Sequence, residues 1–297
     1  MREENNVISS KYKILDKRKE EYPYKQSANT LFRFMSEFEY LKESLQEMVF
    51  FSRYVKEDVS FLGLEYDGKD LKEIAFPMLC FCDVSLSRIS HHCKFYGYYG
   101  IGFAKSTFEE RPINCIRYQN VRDYSKTVHI GKNPFTEAFN QFFGKSNNSS
   151  SEDSELYKLR DFLWEELTLI KPIKGIMNNN KKNFHDEKEW RFVPKTSGGF
   201  HLQNGEKIPY LMNNVEHSEL LESTLNEYSN ELKKDDRRND PNLHLKIEIN
   251  EIKYIIVKSK KEMLELISFI RNLKLSDDDK YLLIASIVVY NQLIEDI

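Results

Sequence analysis

The sequence predicts an α+β fold, with mixed, mostly antiparallel central β-sheets flanked by helices. Two observations predict it. Apolar runs of strand character mix irregularly with amphipathic helical segments, without the regular strand–helix–strand order of a parallel sheet. Glycine and proline are scarce (11 and 8 residues) while phenylalanine and tyrosine are abundant (20 and 17), which suits a packed globular chain rather than a disordered or fibrous one. At 297 residues there is material for one large domain or two small ones.

Residues 1–27 are highly charged, lack periodicity and read as an arm. Leu31 to Phe34 reads as a short strand. Ser36 with Glu39 three residues on has the form of a capping box, and Phe38, Leu41, Leu45 and Met48 then fall on one helical face. Ile74 to Val84 is an apolar run interrupted by Pro77 and predicts a buried strand. Another strand is expected over Tyr99–Ala104, where Gly97, Gly100 and Gly102 permit close backbone approach, and another near Ile113–Tyr118. Phe135–Phe143 and Ser154–Thr168 read as helices, separated by a low-complexity surface loop near 144–155. A second mobile loop is expected over 178–183, leading into a strand at Glu187–Val193. Residues 213–240 read as an insertion, with an amphipathic helix over 213–234 and a mixed-charge loop after it. His244–Ile249 and Ile252–Val257 read as strands and Lys261–Leu273 as a helix. Ser276, followed by Asp277, Asp278 and Asp279, starts a last helix that is apolar nearly all round, through Leu282, Ile287, Val288 and Leu293. The expected organisation is therefore an arm (1–27), a single α+β domain (28–260) and C-terminal helices (261–297).

Composition narrows the classes of function. The net charge is −3, so no global basic field points to nucleic acid or an anionic membrane. The N-terminus has no apolar signal core, and the longest apolar run, near Tyr281–Tyr290, is too short to span a bilayer; a cytoplasmic location is expected. Cys80, Cys82, Cys93 and Cys115 lie in apolar surroundings and are expected to be free thiols. Cys80 and Cys82 with His91, His92 and Cys93 offer the right residue types for zinc but not the spacing, so no metal is expected. No glycine-rich phosphate loop appears.

The segment Glu187-Lys188-Glu189-Trp190-Arg191 carries the chemistry. In a strand, Glu187, Glu189 and Arg191 share one face, and Trp190 and Phe192 the other. Two carboxylates so close raise each other's pKa unless a cation or ligand lies between them. The alternative reading is a solvated edge face, with the two acids paired to Arg191 and Lys188. Asp186-x-Lys188 also fits the acid-x-Lys pattern of a metal-dependent nuclease strand, with Asp161 or Glu166 as the further acid. His185 stands nearby.

The motifs around these residues resemble those of the AbiGi family of abortive phage resistance proteins: Leu31–Ser36 with its helix, Phe61–Leu64, Ala75–Asp83 with its Phe-Cys-Asp ending, Ser87–Ser90, Tyr98–Phe103 and Glu187–Arg191. The likeness runs from about residue 28 to about residue 260. It implies an antitoxin or regulatory role beside a nucleotidyltransferase-like toxin. The last helix, apolar nearly all round, is either buried in the core or covered by a partner, and together with the mixed-charge 213–240 insertion it favours partner binding. The order of elements is also distantly similar to ADP-ribosyltransferase-like folds. That likeness implies NAD as substrate, Arg33 as the NAD contact, Glu189 as the catalytic acid and Glu187 on the acceptor side. Ser85, Tyr98 and Tyr99 are the candidates for the remaining NAD-binding element. A fixed carboxylate would stabilise the positive charge that develops on the sugar as the nicotinamide bond breaks.

Overall fold

A computed structural model describes residues 28–108, 111–120, 133–144, 154–177, 179–217, 220–234 and 236–295. The charged arm at 1–27 and residues 145–153 of the loop expected near 144–155 lie outside the described residues.

The described residues open with β1 (Thr30–Met35), α1 (Phe38–Glu47), β2 (Val49–Phe50), β3 (Arg53–Asp58) and the small hairpin of β4 (Leu64–Tyr66) and β5 (Lys69–Leu71). The long strand β6 (Glu73–Cys82) follows, then α2 (Ile89–Tyr96), β7 (Tyr99–Ala104), β8 (Ile113–Cys115) and β9 (Arg117–Gln119). Helices α3 (Pro134–Phe143) and α4 (Ser154–Leu167) lead to β10 (Ile170–Pro172), β11 (Lys174–Met177), β12 (Asn180–Asn183) and β13 (Glu189–Phe192). After β14 (Gly199–His201), β15 (Lys207–Pro209) and β16 (Met212–Asn213) come α5 (Glu222–Glu231), β17 (Leu245–Lys246), β18 (Ile252–Val257), α6 (Lys260–Arg271), α7 (Asp277–Ala285), β19 (Ile287–Val289) and α8 (Tyr290–Leu293).

The principal sheet runs β19-β18-β7-β1-β6-β13-β8, and β3 and β16 pair with the first half of β6. All of its pairings are antiparallel except β18 with β19. The α+β prediction thus holds. The apolar run expected to be a strand is β6, which pairs with β1, β13, β3 and β16, and Ile74 to Leu79 are buried. Pro77 lies opposite Tyr54 on β3.

Side-chain alternation sorts the core. Leu31, Met35, Leu79, Phe81, Ile101, Phe103, Ile255 and Val257 face α1, α6 and α7, where Leu41, Leu45, Leu266, Ile270 and Leu283 cover them. On the opposite face Phe32, Cys82 and Ile256 meet Ile89 and Cys93 of α2 and Tyr290. The expected close approaches occur here: a Cβ on Gly102 would come within 2.5 Å of the Phe32 ring, and one on Gly97, at φ 107°, within 2.0 Å of the Met35 carbonyl oxygen.

Four expectations are corrected. Ser36 does not cap α1; Glu37 takes the N-cap position with no side-chain bond, while Ser259 and Glu262 form a complete capping box on α6. Residues 180–183, expected in a mobile loop, are strand β12, folded onto β11 with Asn179 left-handed (φ 62°) at the turn. Of the helix expected over 213–234, only Glu222–Glu231 is α-helical. The last helix ends at Ala285, and Ile287–Val289 forms the edge strand of the principal sheet. Three consecutive β-branched residues favour a strand, and an apolar run alone does not distinguish a buried helix from a buried strand. The segment from Leu283 to Tyr290 is therefore part of the sheet and core, with Leu283, Val289 and Tyr290 buried.

Candidate functional site

Strand β13 places the Glu-x-Glu segment against the middle of the molecule. Its register sets Glu189 opposite Cys82 and Arg191 opposite Cys80 on β6, so these four side chains share one face. The strand begins at Glu189. Glu187 belongs to a 3₁₀ turn over Phe184–Glu187, and Lys188 between them is left-handed (φ 44°). The two acids therefore do not meet by simple strand alternation. They meet because both reach one ammonium: Lys171 of β10 lies 2.8 Å from Glu189 Oε2 and 3.3 Å from Glu187 Oε2.

Every carboxylate oxygen of the pair has a donor. Glu189 Oε1 accepts from Arg191 Nε at 2.6 Å. Glu187 Oε1 accepts from the Tyr96 hydroxyl of α2 and forms an ion pair with Lys182 of β12. The Lys182 ammonium also donates to the Tyr96 hydroxyl at 2.7 Å. Arg191 spends the rest of its guanidinium on the Thr168 carbonyl (2.7 Å) and Glu57 (3.0 Å). Tyr118 accepts from the Glu189 backbone N–H at 2.8 Å. Glu57, Glu187 and Glu189 thus balance Lys171, Lys182 and Arg191. Glu187, Glu189 and Arg191 are at most 4 % exposed and Lys182 is 7 % exposed.

A buried ionic group is tolerated when it is paired and its hydrogen bonds are filled. Burial pushes the Glu189 carboxyl up, but the Arg191 and Lys171 charges outweigh it and hold the group well below the ordinary carboxylate range. Burial lowers the Lys171 ammonium, yet Glu189 and Glu57 bring it to a net rise. Burial pushes the Cys80 and Cys82 thiols up, with Glu189 adding to the effect at both. The Tyr96 hydroxyl is raised by burial and then by Glu187. The arrangement pairs both carboxylates with the chain's own cations.

The other residues expected at this site are dispersed. Phe32 lies opposite Cys82, so Arg33, the next residue, projects from the opposite face of the sheet to Glu189. There its guanidinium stacks 5.4 Å from the Phe50 ring centroid, and burial lowers its pKa to about 10. This register places Arg33 and the two acids on opposite faces of the sheet. Tyr99 is on that same far face and donates to Glu262 at 2.7 Å. Tyr98 packs on Tyr290 (5.0 Å between ring centroids) and under Lys258. Ser85 follows β6, with its hydroxyl 3.0 Å from that of Ser87. Asp186 and Lys188, the acid-x-Lys pair, are both exposed, and Glu166 pairs with Arg117. Among the described residues no group of three or more His, Cys, Asp or Glu side chains is placed to hold a metal ion. None of their helices is long and apolar enough to cross a membrane.

Lys171, Lys182, Tyr96 and Glu57 were not singled out by the sequence. A lone lysine beside a proline at Lys171 and one in an asparagine-lysine stretch at Lys182 carry no local signal. Only the need of two neighbouring acids for a cation between them pointed toward the two lysines, and nothing pointed toward Tyr96 or Glu57.

Comparison with known proteins bears on this geometry. A family model described as "Putative abortive phage resistance protein AbiGi, antitoxin" matches residues 47–258. The chain is 28 % identical over 270 residues to the abortive phage resistance protein AbiGi of Lactococcus lactis subsp. cremoris, covering 84 % of this chain and 100 % of that protein. No solved structure matches, so the ADP-ribosyltransferase-like assignment of the fold has no solved counterpart.

Proposed function

Because this chain belongs to the AbiGi family of abortive phage resistance proteins, we propose that it serves abortive infection as an antitoxin: a folded protein that binds and restrains a toxin, and not an NAD-consuming enzyme. The observation that carries this reading is the closure of the Glu187–Glu189 pair. All four carboxylate oxygens are engaged by Lys171, Lys182, Arg191 and Tyr96. Buried and paired to resident cations, these carboxylates have little free charge to offer a developing sugar cation. The antitoxin description of the matching family model supports the same reading. We assign the toxin contact to the outer side of α6 and α7, where Leu264, Tyr281 and Leu282 are 64 %, 67 % and 53 % exposed.

The test is co-expression with the toxin of the same system. The wild-type protein is expected to relieve growth arrest, and Leu264→Asp with Tyr281→Asp to fold normally and fail to relieve it. Purified protein incubated with NAD is expected to leave it intact. NAD turnover by the purified protein would replace this reading with that of an ADP-ribose-transferring or NAD-hydrolysing enzyme.

A further inference from the structure

The hairpin of β11 and β12 pairs with no other described strand. It is closed at its base by the Phe184 N–H donating to the Ile173 carbonyl at 2.8 Å. Its outer face carries Lys174, Ile176, Lys181 and Asn183, all exposed. On its inner face Gly175 packs on the Phe184 ring, and Lys182 reaches into the protein. There the Lys182 ammonium lies 4.3 Å from the ring centroids of both Phe95 and Tyr96 and 5.9 Å from that of Phe184, with the Glu187 carboxylate as counter-ion. Aromatic faces within about 6 Å attract a cation, and several rings with one carboxylate make a receptor for alkylammonium groups.

We propose that Phe95, Tyr96, Phe184 and Glu187 form an alkylammonium-binding cage, which the chain fills with its own Lys182. The ligand class is a primary alkylammonium, such as a lysine side chain presented by another protein. The hairpin is then a self-docked plug, and a ligand in trans competes against a tethered lysine at an effective concentration in the millimolar range. A plain buried ion pair would need only Glu187 and Lys171. The three rings are what mark this pocket as shaped for the cation. This inference does not depend on the antitoxin reading.

Chemical rescue tests it. Lys182→Ala removes the side chain beyond Cβ, which n-propylammonium matches in shape and charge. The variant is expected to melt below wild type. Millimolar n-propylammonium is expected to restore most of that loss with a saturable dose dependence, and n-propanol, the uncharged counterpart, is not. Wild type and Lys182→Met, whose pocket is already filled, are expected to show no rise. If Lys182→Ala does not fold alone, its refolding yield with and without n-propylammonium gives the same readout. Rescue by n-propanol to the same extent, no rescue at all, or an equal effect on Lys182→Met would overturn the proposal.

Discussion

At the scale of single residues, Glu189 is a structural charge. It holds Arg191 and Lys171 in the interior, and removing one partner of a buried ion pair leaves the other uncompensated. Glu189→Gln is therefore expected to cost about 3–5 kcal/mol in urea unfolding. The same pairing sets a pH dependence. The Glu189 carboxyl has a depressed folded-state pKa, so its stabilisation is fully present above the unfolded carboxyl value of about 4.3 and is lost progressively as the pH falls below it. The wild type should lose stability on acidification through that range, and Glu189→Gln should show a shallower acid limb. Equal stability of the two proteins at neutral pH would show that the ion pairs do not bear on folding.

At the scale of elements, the C-terminal segment is a helix, an edge strand and a further short helix. β19 pairs in parallel with β18 through Ile255–Ile287, Ile256–Val288 and Val257–Val289. Truncation after Leu275 removes that strand together with Leu283, Val289 and Tyr290. Burying a side chain such as Leu283 or Val289 contributes about 1.5–3 kcal/mol, against a whole-domain stability of about 5–15 kcal/mol. The truncated chain is expected to lose cooperative thermal unfolding, followed by circular dichroism. A truncated protein that still melts cooperatively near the wild-type midpoint would return these residues to the role of a partner surface.

At the scale of the whole molecule, β6 joins the parts. Its first half pairs with β3 and β16, beside the cluster of Phe76, Met78, Phe139 and Trp164. Its second half pairs with β1 and β13, beside the cluster of Leu79, Phe81 and Phe103. One strand cannot leave either cluster without disturbing the other. The described cores are expected to unfold in a single transition, with coincident near- and far-ultraviolet circular dichroism curves. Two separated transitions would show that β6 does not couple them.

Local pattern by itself determined much of this fold. The apolar run at Ile74–Val84 had one buried outcome. The face shared by Leu41 and Leu45, the glycines opposite Phe32 and Phe34, and the Ser276 cap each follow from chemistry within a few residues. The motifs at Ala75–Asp83 and Glu187–Arg191 likewise carry the AbiGi resemblance within short windows of sequence. What the tertiary structure decided depends on residues far apart in the chain. Strand alternation alone cannot say which face of β1 carries Arg33 relative to Glu189; the registers of β1 and β13 on β6 decide it. Nor can it say that Lys171 and Lys182 neutralise two acids, since no local preference places a buried lysine. Ile287–Val289 became a strand and not helix because β18 offered it an open edge. Long-range pairing and the electrostatic demand of buried charge made these choices, and neither is written in a local window of sequence.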